Sequence, residues 1–216
     1  MITELAIEIP APVGVSSWGQ AFTNHPMRAI TRAVASDPDG WTPERRDEVV
    51  KLFDSLAPNW NERDLPERKI AVSDAIARGL AHTPSLPGGV ALELGSGTGL
   101  NRDVLEDQFE TVVSLDISTR MLARLPSGAI GVRGDGSCLP LCAGSINALV
   151  LINMFLFPAE ADRVLSPEGV VIWVNSRGSE TPIYLAADEV DAALPGNWDG
   201  VSSTAGFGTW SVHWRA

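Results

Sequence analysis

The segment Ala91-Leu92-Glu93-Leu94-Gly95-Ser96-Gly97-Thr98-Gly99-Leu100 runs an apolar stretch straight into three glycines at alternate positions, with one acid two residues before the first. That order predicts a buried strand, a tight loop and the start of a helix. Glycine tolerates positive φ and carries no side chain, so such a loop turns sharply and leaves room for a ligand against its backbone. The dinucleotide pattern G-x-G-x-x-G also follows a first strand, but here the third glycine comes one position early. Leu100 stands where that pattern wants Gly or Ala.

Three further polar residues follow at nearly constant spacing. Asp116 lies 23 residues after Glu93, Asp135 another 19 on, and Asn153 another 18. They follow apolar runs at residues 111–115, 129–132 and 148–152. In an open α/β sheet the carboxyl ends of the strands form the ligand crevice, so four polar strand ends in register point to one site.

Residues 1–39 hold Pro10, Pro12, Pro26 and Pro38 and read as extended or loop-rich, with a short helix over 27–35. Thr42 can cap a helix, Pro43 suits its first turn and Glu44 meets the positive end of its dipole. Val49, Leu52, Phe53 and Leu56 form its apolar stripe, which ends near Ala57-Pro58. A second helix is expected over 65–81, opened by Asp64 and Pro66, with Val72, Ile76 and Leu80 on one side. Both would lie over the sheet's carboxyl edge as a lid. Strands are expected at 90–94, 111–115, 129–133, 146–152 and 170–175, alternating with helices, which implies a parallel sheet. A turn at Ser166-Pro167-Glu168-Gly169 would reverse the chain before the last of them. After a helix over 187–194, residues 200–205 and 209–214 flank Gly206-Phe207-Gly208 and read as a hairpin.

The net charge is −11 over 216 residues, with a pI near 4.6. Nucleic-acid binders rely on Lys and Arg to displace counterions, so neither DNA nor RNA is the expected partner. Arg45-Arg46 and Arg68-Lys69 are flanked by acids and read as solvated helix faces. The N-terminus lacks the cationic start of a secretory signal, and the longest apolar stretch, 148–157, is too short for a bilayer. No membrane partner and a soluble, cytoplasmic protein are expected, with one α/β domain and a small cap. Cys138 and Cys142, four residues apart with no His or acid beside them, are poorly placed for zinc and read as buried small hydrophobes. No metal is expected.

Three blocks carry a wider pattern: Glu93-x-Gly95-x-Gly97-x-Gly99, then Val112-Val113-Ser114-Leu115-Asp116-Ile117-Ser118-x-x-Met121-Leu122, then Gly134-Asp135-Gly136-Ser137-x-Leu139-Pro140-Leu141. In this order they resemble the class I S-adenosylmethionine (SAM) dependent methyltransferases, in their small-molecule branch, from about residue 53 onward. The resemblance implies an α/β, Rossmann-like, doubly wound fold: a mostly parallel seven-stranded sheet, an antiparallel C-terminal hairpin and an N-terminal helical cap. Residues 1–62 would be extension and cap, and 63–216 the SAM-binding domain. The implied cofactor is SAM, and the implied partner is a small-molecule methyl acceptor taking the methyl group on O, N, C or S.

Glu93, Gly95, Ser96, Gly97, Gly99, Asp116, Ile117, Met121, Asp135, Gly136 and Asn153 are the candidate cofactor-binding residues. Asp116 suits the ribose diol, since a carboxylate accepts two hydroxyl hydrogens at once; the alternative is a surface aspartate capping the next helix. Ile117 and Met121 would pack on the adenine, although core packing explains Met121 almost as well. Asp135 and the Gly136 amide would read the adenine edge, or Asp135-Gly136 is a self-stabilised turn. Glu93 either holds the methionine ammonium or ties down the glycine loop. The Asn153 region would offer backbone oxygens to the ammonium and border the reacting methyl. Arg63 and Arg68 are candidates for the methionine carboxylate, or solvated surface arginines.

No catalytic residue is assigned. Methyl transfer needs a general base only for some acceptors, and His25, in the cap, ranks before His82 and His213. Asp54, Tyr184 and Asn175 can also face the pocket. Trp18, Trp41 and Trp60 would line an apolar substrate pocket or simply bury the lid. Two rival classes stand beside this reading: an NAD(P)-dependent oxidoreductase, and a non-catalytic SAM-binding protein. The chain is silent on oligomeric state.

Overall fold

Strand β2 (Val90–Leu94) sits in mid-sheet, and its side chains alternate between two apolar layers. Leu92 and Leu94 join a core with Leu115, Leu149, Leu151 and Trp173, whereas Ala91 joins Ala148, Val150, Val170, Ile172 and Val174 on the other face. A strand covered on both faces must be apolar nearly throughout. Each fully buried Leu or Val contributes about 1.5–3 kcal/mol.

The computed structural model describes residues 1–12 and 25–216; Trp18 lies outside them. In chain order the regular elements are β1 (Ile2–Glu4), α1 (Pro26–Ser36), α2 (Pro43–Leu56), α3 (Pro66–Asp74), β2, α4 (Arg102–Glu106), β3 (Thr111–Asp116), α5 (Thr119–Leu122), β4 (Ile130–Arg133), β5 (Ile146–Ile152), α6 (Pro158–Val164), β6 (Leu165–Asn175), α7 (Ala187–Ala193), β7 (Trp198–Ala205) and β8 (Gly208–Arg215). The strands form one sheet in the order β1-β7-β8-β6-β5-β2-β3-β4. All pair in parallel except β8, which runs against both β6 and β7. Residues of α3 and α4 pack in the layer of Ala91, and those of α1, α6 and α7 in the layer of Leu92.

This is the doubly wound α/β architecture with a closing antiparallel hairpin, but the sheet has eight strands rather than seven. The additional strand is β1, which pairs with β7 from Ile2↔Gly200 to Glu4↔Ser202. Gly200 permits the approach, because a Cβ there would lie 2.6 Å from the Val212 carbonyl oxygen and 2.7 Å from Ile2 Cδ1. The N-terminal ammonium anchors the strand by donating to the Trp198 carbonyl at 2.7 Å and Asp199 Oδ1 at 2.9 Å. Three residues are too few to show a period.

Other departures are local. The helix expected over 65–81 is α-helical only through Asp74, then widens into a π-turn at Ala75–Gly79 and closes as 3-10. Gly79 is pressed against the hairpin there: a Cβ would stand 2.6 Å from Val212 Cγ2. Leu65, not Asp64, occupies the cap position, with no side-chain bond. The turn expected at 166–169 is a bulge inside β6, between the pairs Ile146↔Leu165 and Ala148↔Val170. Cys138 and Cys142 are exposed rather than buried, because the β4–β5 connection carries them across the surface. Thr42 does cap α2, accepting from the Arg45 amide at 3.3 Å.

Candidate functional site

The chain leaves β2 for β3 and β4 on one side, then returns to place β5 on β2's other flank. Ligands of open α/β sheets bind outside the carboxyl ends at such a reversal. Here the glycine turn fills that place. The Gly95 and Ser96 amides donate to the Leu115 carbonyl at 2.8 and 3.1 Å, which fastens the turn to β3. Gly95 and Gly97 have φ of 72° and 57°, a region that L side chains rarely adopt. Gly97 is also covered: a Cβ would lie 3.0 Å from Nε1 of Trp60.

Two carboxylates are buried beneath this turn. Asp116 accepts from the Gly97 amide through Oδ2 at 2.8 Å and from the Ser118 amide through Oδ1 at 2.7 Å. Burial pushes its pKa up, and the Ser118, Gly97 and Ile117 amides pull it back. Glu93 is 2 % exposed, one residue before the end of β2. Its Oε1 has only the Asn101 amide, at 3.5 Å, and its Oε2 is buried without a partner among the described residues. Burial pushes its pKa up to about 7 against the weaker opposing effects of Asn101 and Arg102. A buried carboxylate at a strand end that lines a cavity is a candidate contact for a ligand.

The cavity encloses about 580 Å³, within the range of small-molecule sites. Glu93, Gly95, Ser96, Gly97, Asp116, Ile117, Met121, Gly136 and Asn153 line it. Gly99 and Asp135 do not. Gly99 borders a more open pocket on the outer side of the turn. Asp135 lies between two lining residues, Gly134 and Gly136, and accepts from the Trp41 indole N–H at 3.0 Å and from the Ser137 amide at 2.9 Å. Both the turn and a contact to the cap are therefore built on it. Gly136 is held tight: a Cβ would meet the Phe157 ring at 2.5 Å. Asn153 has φ of 51°, the one positive value on a non-glycine among the described residues. Its side chain exchanges bonds with Ser176, donating to Oγ at 2.9 Å and accepting from the amide at 2.8 Å. Strain of this kind persists where the surroundings over-determine it, often at functional sites.

The segment after α2 closes the cavity over the glycine turn. Trp60 stacks edge-on to Phe53 with ring centroids 5.7 Å apart. Asn61 accepts from the Thr98 hydroxyl at 2.6 Å, and Arg124 donates to the Pro58 carbonyl at 2.9 Å. Asp54 accepts from the Ser118 hydroxyl, so it braces the lid against the Asp116 loop. Of the histidines, His25 lines the cavity and caps α1, accepting from the Met27 amide at 3.2 Å. His213 is fully buried in β8, where burial pushes its pKa down to about 3. His82 lies in the short 3-10 turn after α3. Neither is in the cavity wall. Asn175 donates to the Leu185 carbonyl, and Tyr184 stacks under Arg28.

Residues not singled out from sequence also form the wall, among them Met154, Phe155, Phe157, Ser176, Arg177 and Ile183. The signal for Ser176-Arg177 was present, since they end the strand after β5 just as Asn153 ends β5. The aromatic wall had none, because Phe155 and Phe157 read as core.

An open sheet whose polar strand tips surround a glycine turn is an architecture with room for a ligand against the turn's backbone. Residues 92–173 match the family model described as "Methyltransferase domain". That match spans β2 to β6, and the fold around it is the one seen in solved SAM-dependent methyltransferases. It is 28 % identical over 145 residues to a curated malonyl-[acyl-carrier protein] O-methyltransferase of Dechloromonas aromatica (strain RCB), an alignment covering 63 % of this chain and 53 % of that protein. The chain thus spans about half the length of that relative. Among solved structures, the DhpI–SAH complex superposes with a TM-score of 0.60 at 18 % identity, covering 78 % of this chain and 95 % of that one. A SAM-dependent methyltransferase from Aquifex aeolicus gives 0.55 at 15 % identity, covering 73 % and 96 %. Among the described residues no helix is long and apolar enough to cross a membrane.

Proposed function

We propose that the protein transfers a methyl group from SAM to a small molecule bound in the same cavity. The observation that carries this reading is the buried, half-partnered Glu93 beside the Asp116-braced glycine turn. An acid with a spare buried oxygen suits a cationic ligand group, and the left-handed turn suits a nucleoside laid on backbone.

In this reading Asp116 holds the ribose diol with the lone pairs its two amide bonds leave. Glu93 faces the methionine ammonium. The Gly136 amide and the Ile117 and Met121 side chains receive the adenine, while Asp135 sets the shape of the Gly136 turn from behind. SAM supplies a sulfonium-activated methyl group when bound. The chain's own task is to align and to dry the site: the lid carrying Phe53 and Trp60 excludes water, and the Asn153–Ser176 pair fixes the wall at the end of β5. Orientation of two bound molecules lowers a barrier by roughly 7–11 kcal/mol in favourable cases. Residues 25–62 act as the cap over a SAM-binding domain at 63–216, whose sheet β1 extends at one edge, and the partner is a small molecule rather than a nucleic acid. The location is cytoplasmic. The name of the curated relative makes oxygen the first acceptor atom to test.

The test is incubation of the full chain with methyl-labelled SAM and a fractionated metabolite extract. One compound should gain a methyl mass. SAM binding with no label transferred to any fraction would leave a binding protein and overturn the catalytic reading.

A further inference from the structure

Trp60 belongs to the 3-10 segment Ala57–Arg63 of the lid and lines the cavity. Its pyrrole edge is turned to the glycine turn: a Cβ on Gly97 would lie 3.0 Å from its Nε1, 3.5 Å from Cε2 and 3.7 Å from Cδ1. Two neighbours hold the ring in that pose, Phe53 against its edge and the Arg63 guanidinium over it, 4.6 Å from the centroid. The chain on either side is fastened as well, Pro58 by Arg124 and Asn61 by Thr98.

An indole N–H in an enclosed site normally finds an acceptor. Trp41, Trp173, Trp198 and Trp210 donate theirs to Asp135, the Leu185 carbonyl, the Pro195 carbonyl and Asp74. Trp41 and Trp60 are the tryptophans of the cavity wall, and of these two only Trp60 has no acceptor for its N–H among the described residues. The place where it meets the turn is also defined. The Gly97 amide is bonded to Asp116 Oδ2 at 2.8 Å, so Trp60 stands at the Asp116 end. Gly95, two residues from Glu93, meets Met154 instead of the lid, since a Cβ there would lie 2.4 Å from Met154 Sδ.

We infer that Trp60 is a specificity-determining residue for the cofactor, its indole N–H donating to a ribose hydroxyl oxygen of SAM. This rests on the methyltransferase reading, with Asp116 as holder of the diol, and adds a donor from the lid. An indole N–H can only donate, so it suits an oxygen with free lone pairs and offers nothing to an ammonium or a sulfonium. A hydroxyl that gives its hydrogen to Asp116 keeps such lone pairs. The lid is then fastened by the ligand as well as by Pro58 and Asn61.

The experiment uses full-length protein isotope-labelled on its indole nitrogens. The Trp60 N–H resonance, assigned through bonds in the unaltered protein, should move downfield and exchange more slowly with water when SAH saturates the site. Methylthioadenosine, which has the ribose but no methionine end, should do the same. In calorimetry Trp60→Phe, which keeps a ring beside Phe53 and Arg63, should weaken both ligands by a similar factor, roughly three- to tenfold, as expected for one neutral hydrogen bond. A resonance indifferent to SAH, a response to SAH but not to methylthioadenosine, or unchanged affinities in a folded Trp60→Phe variant overturns the inference. The spectra of the unaltered protein decide it even if the variant fails to fold. Failure of SAH to bind at all would overturn the methyltransferase reading, which separates the two claims.

Discussion

If Glu93 holds the methionine ammonium as proposed, SAM binding depends on pH, because that contact needs the ionised carboxylate while burial favours the neutral one. With a pKa near 7, roughly one tenth of Glu93 is ionised at pH 6.0 and roughly three quarters at pH 7.5. Affinity for SAH should therefore rise about eightfold across that interval, about 1.2 kcal/mol. Titration calorimetry at both pH values, in buffers of different ionisation enthalpy, should also detect protons released on binding. Stability moves the opposite way. The folded chain holds the Glu93 proton more tightly than the unfolded chain, whose carboxyl titrates at the ordinary 4.5. Stability is thus full below that value and falls as pH rises through 7, by on the order of 3 kcal/mol. Glu93→Gln should flatten both profiles and leave the ligand-free protein more stable than the unaltered one at pH 8. A flat SAH profile in the unaltered protein, or an undiminished slope in the Gln variant, would refute the role assigned to Glu93.

Asp116→Ala should weaken SAH at least tenfold in the same calorimeter, and should lower the melting temperature because the Gly97 and Ser118 amides lose their acceptor. Gly97→Val should abolish SAH binding: the left-handed conformation costs a non-glycine residue about 1–2 kcal/mol, and the new side chain would run into Trp60. Trp41→Phe removes the indole N–H that reaches Asp135 and should cost about 1 kcal/mol in urea unfolding. Thr42→Ala removes the cap of α2 and should cost about 1 kcal/mol as well, with little change in SAH affinity.

Most of the sheet was readable because its strands are buried on both faces and stand out as apolar runs. β2 and β5 fall where those runs begin and end. The candidate site at their tips stands out in sequence for a related reason: a carboxylate at Glu93 or Asp116 has no packing purpose at the edge of such a run. What escaped notice depends on long-range contacts. Strand β1 is three residues long and is defined by its partner across nearly the whole chain. For Asp135 both an adenine contact and a self-stabilised turn were open; the turn bonds from Ser137 are present, and nothing near it in sequence announces Trp41 as its further hydrogen-bond donor. The cavity wall draws Arg63 and Arg68 from the lid and Arg177 from the end of β6, and that juxtaposition exists only in three dimensions. Cys138 and Cys142 show the limit of composition, since a small apolar side chain says nothing of which loop carries it.

The most direct test of the account is a binding comparison on one sample at pH 7.5: SAH, SAM and NAD titrated separately into the full-length protein while its melting temperature is followed. The account predicts that SAH and SAM saturate one site and raise the melting temperature, and that NAD does neither. Stabilisation by NAD with no response to SAH would contradict it.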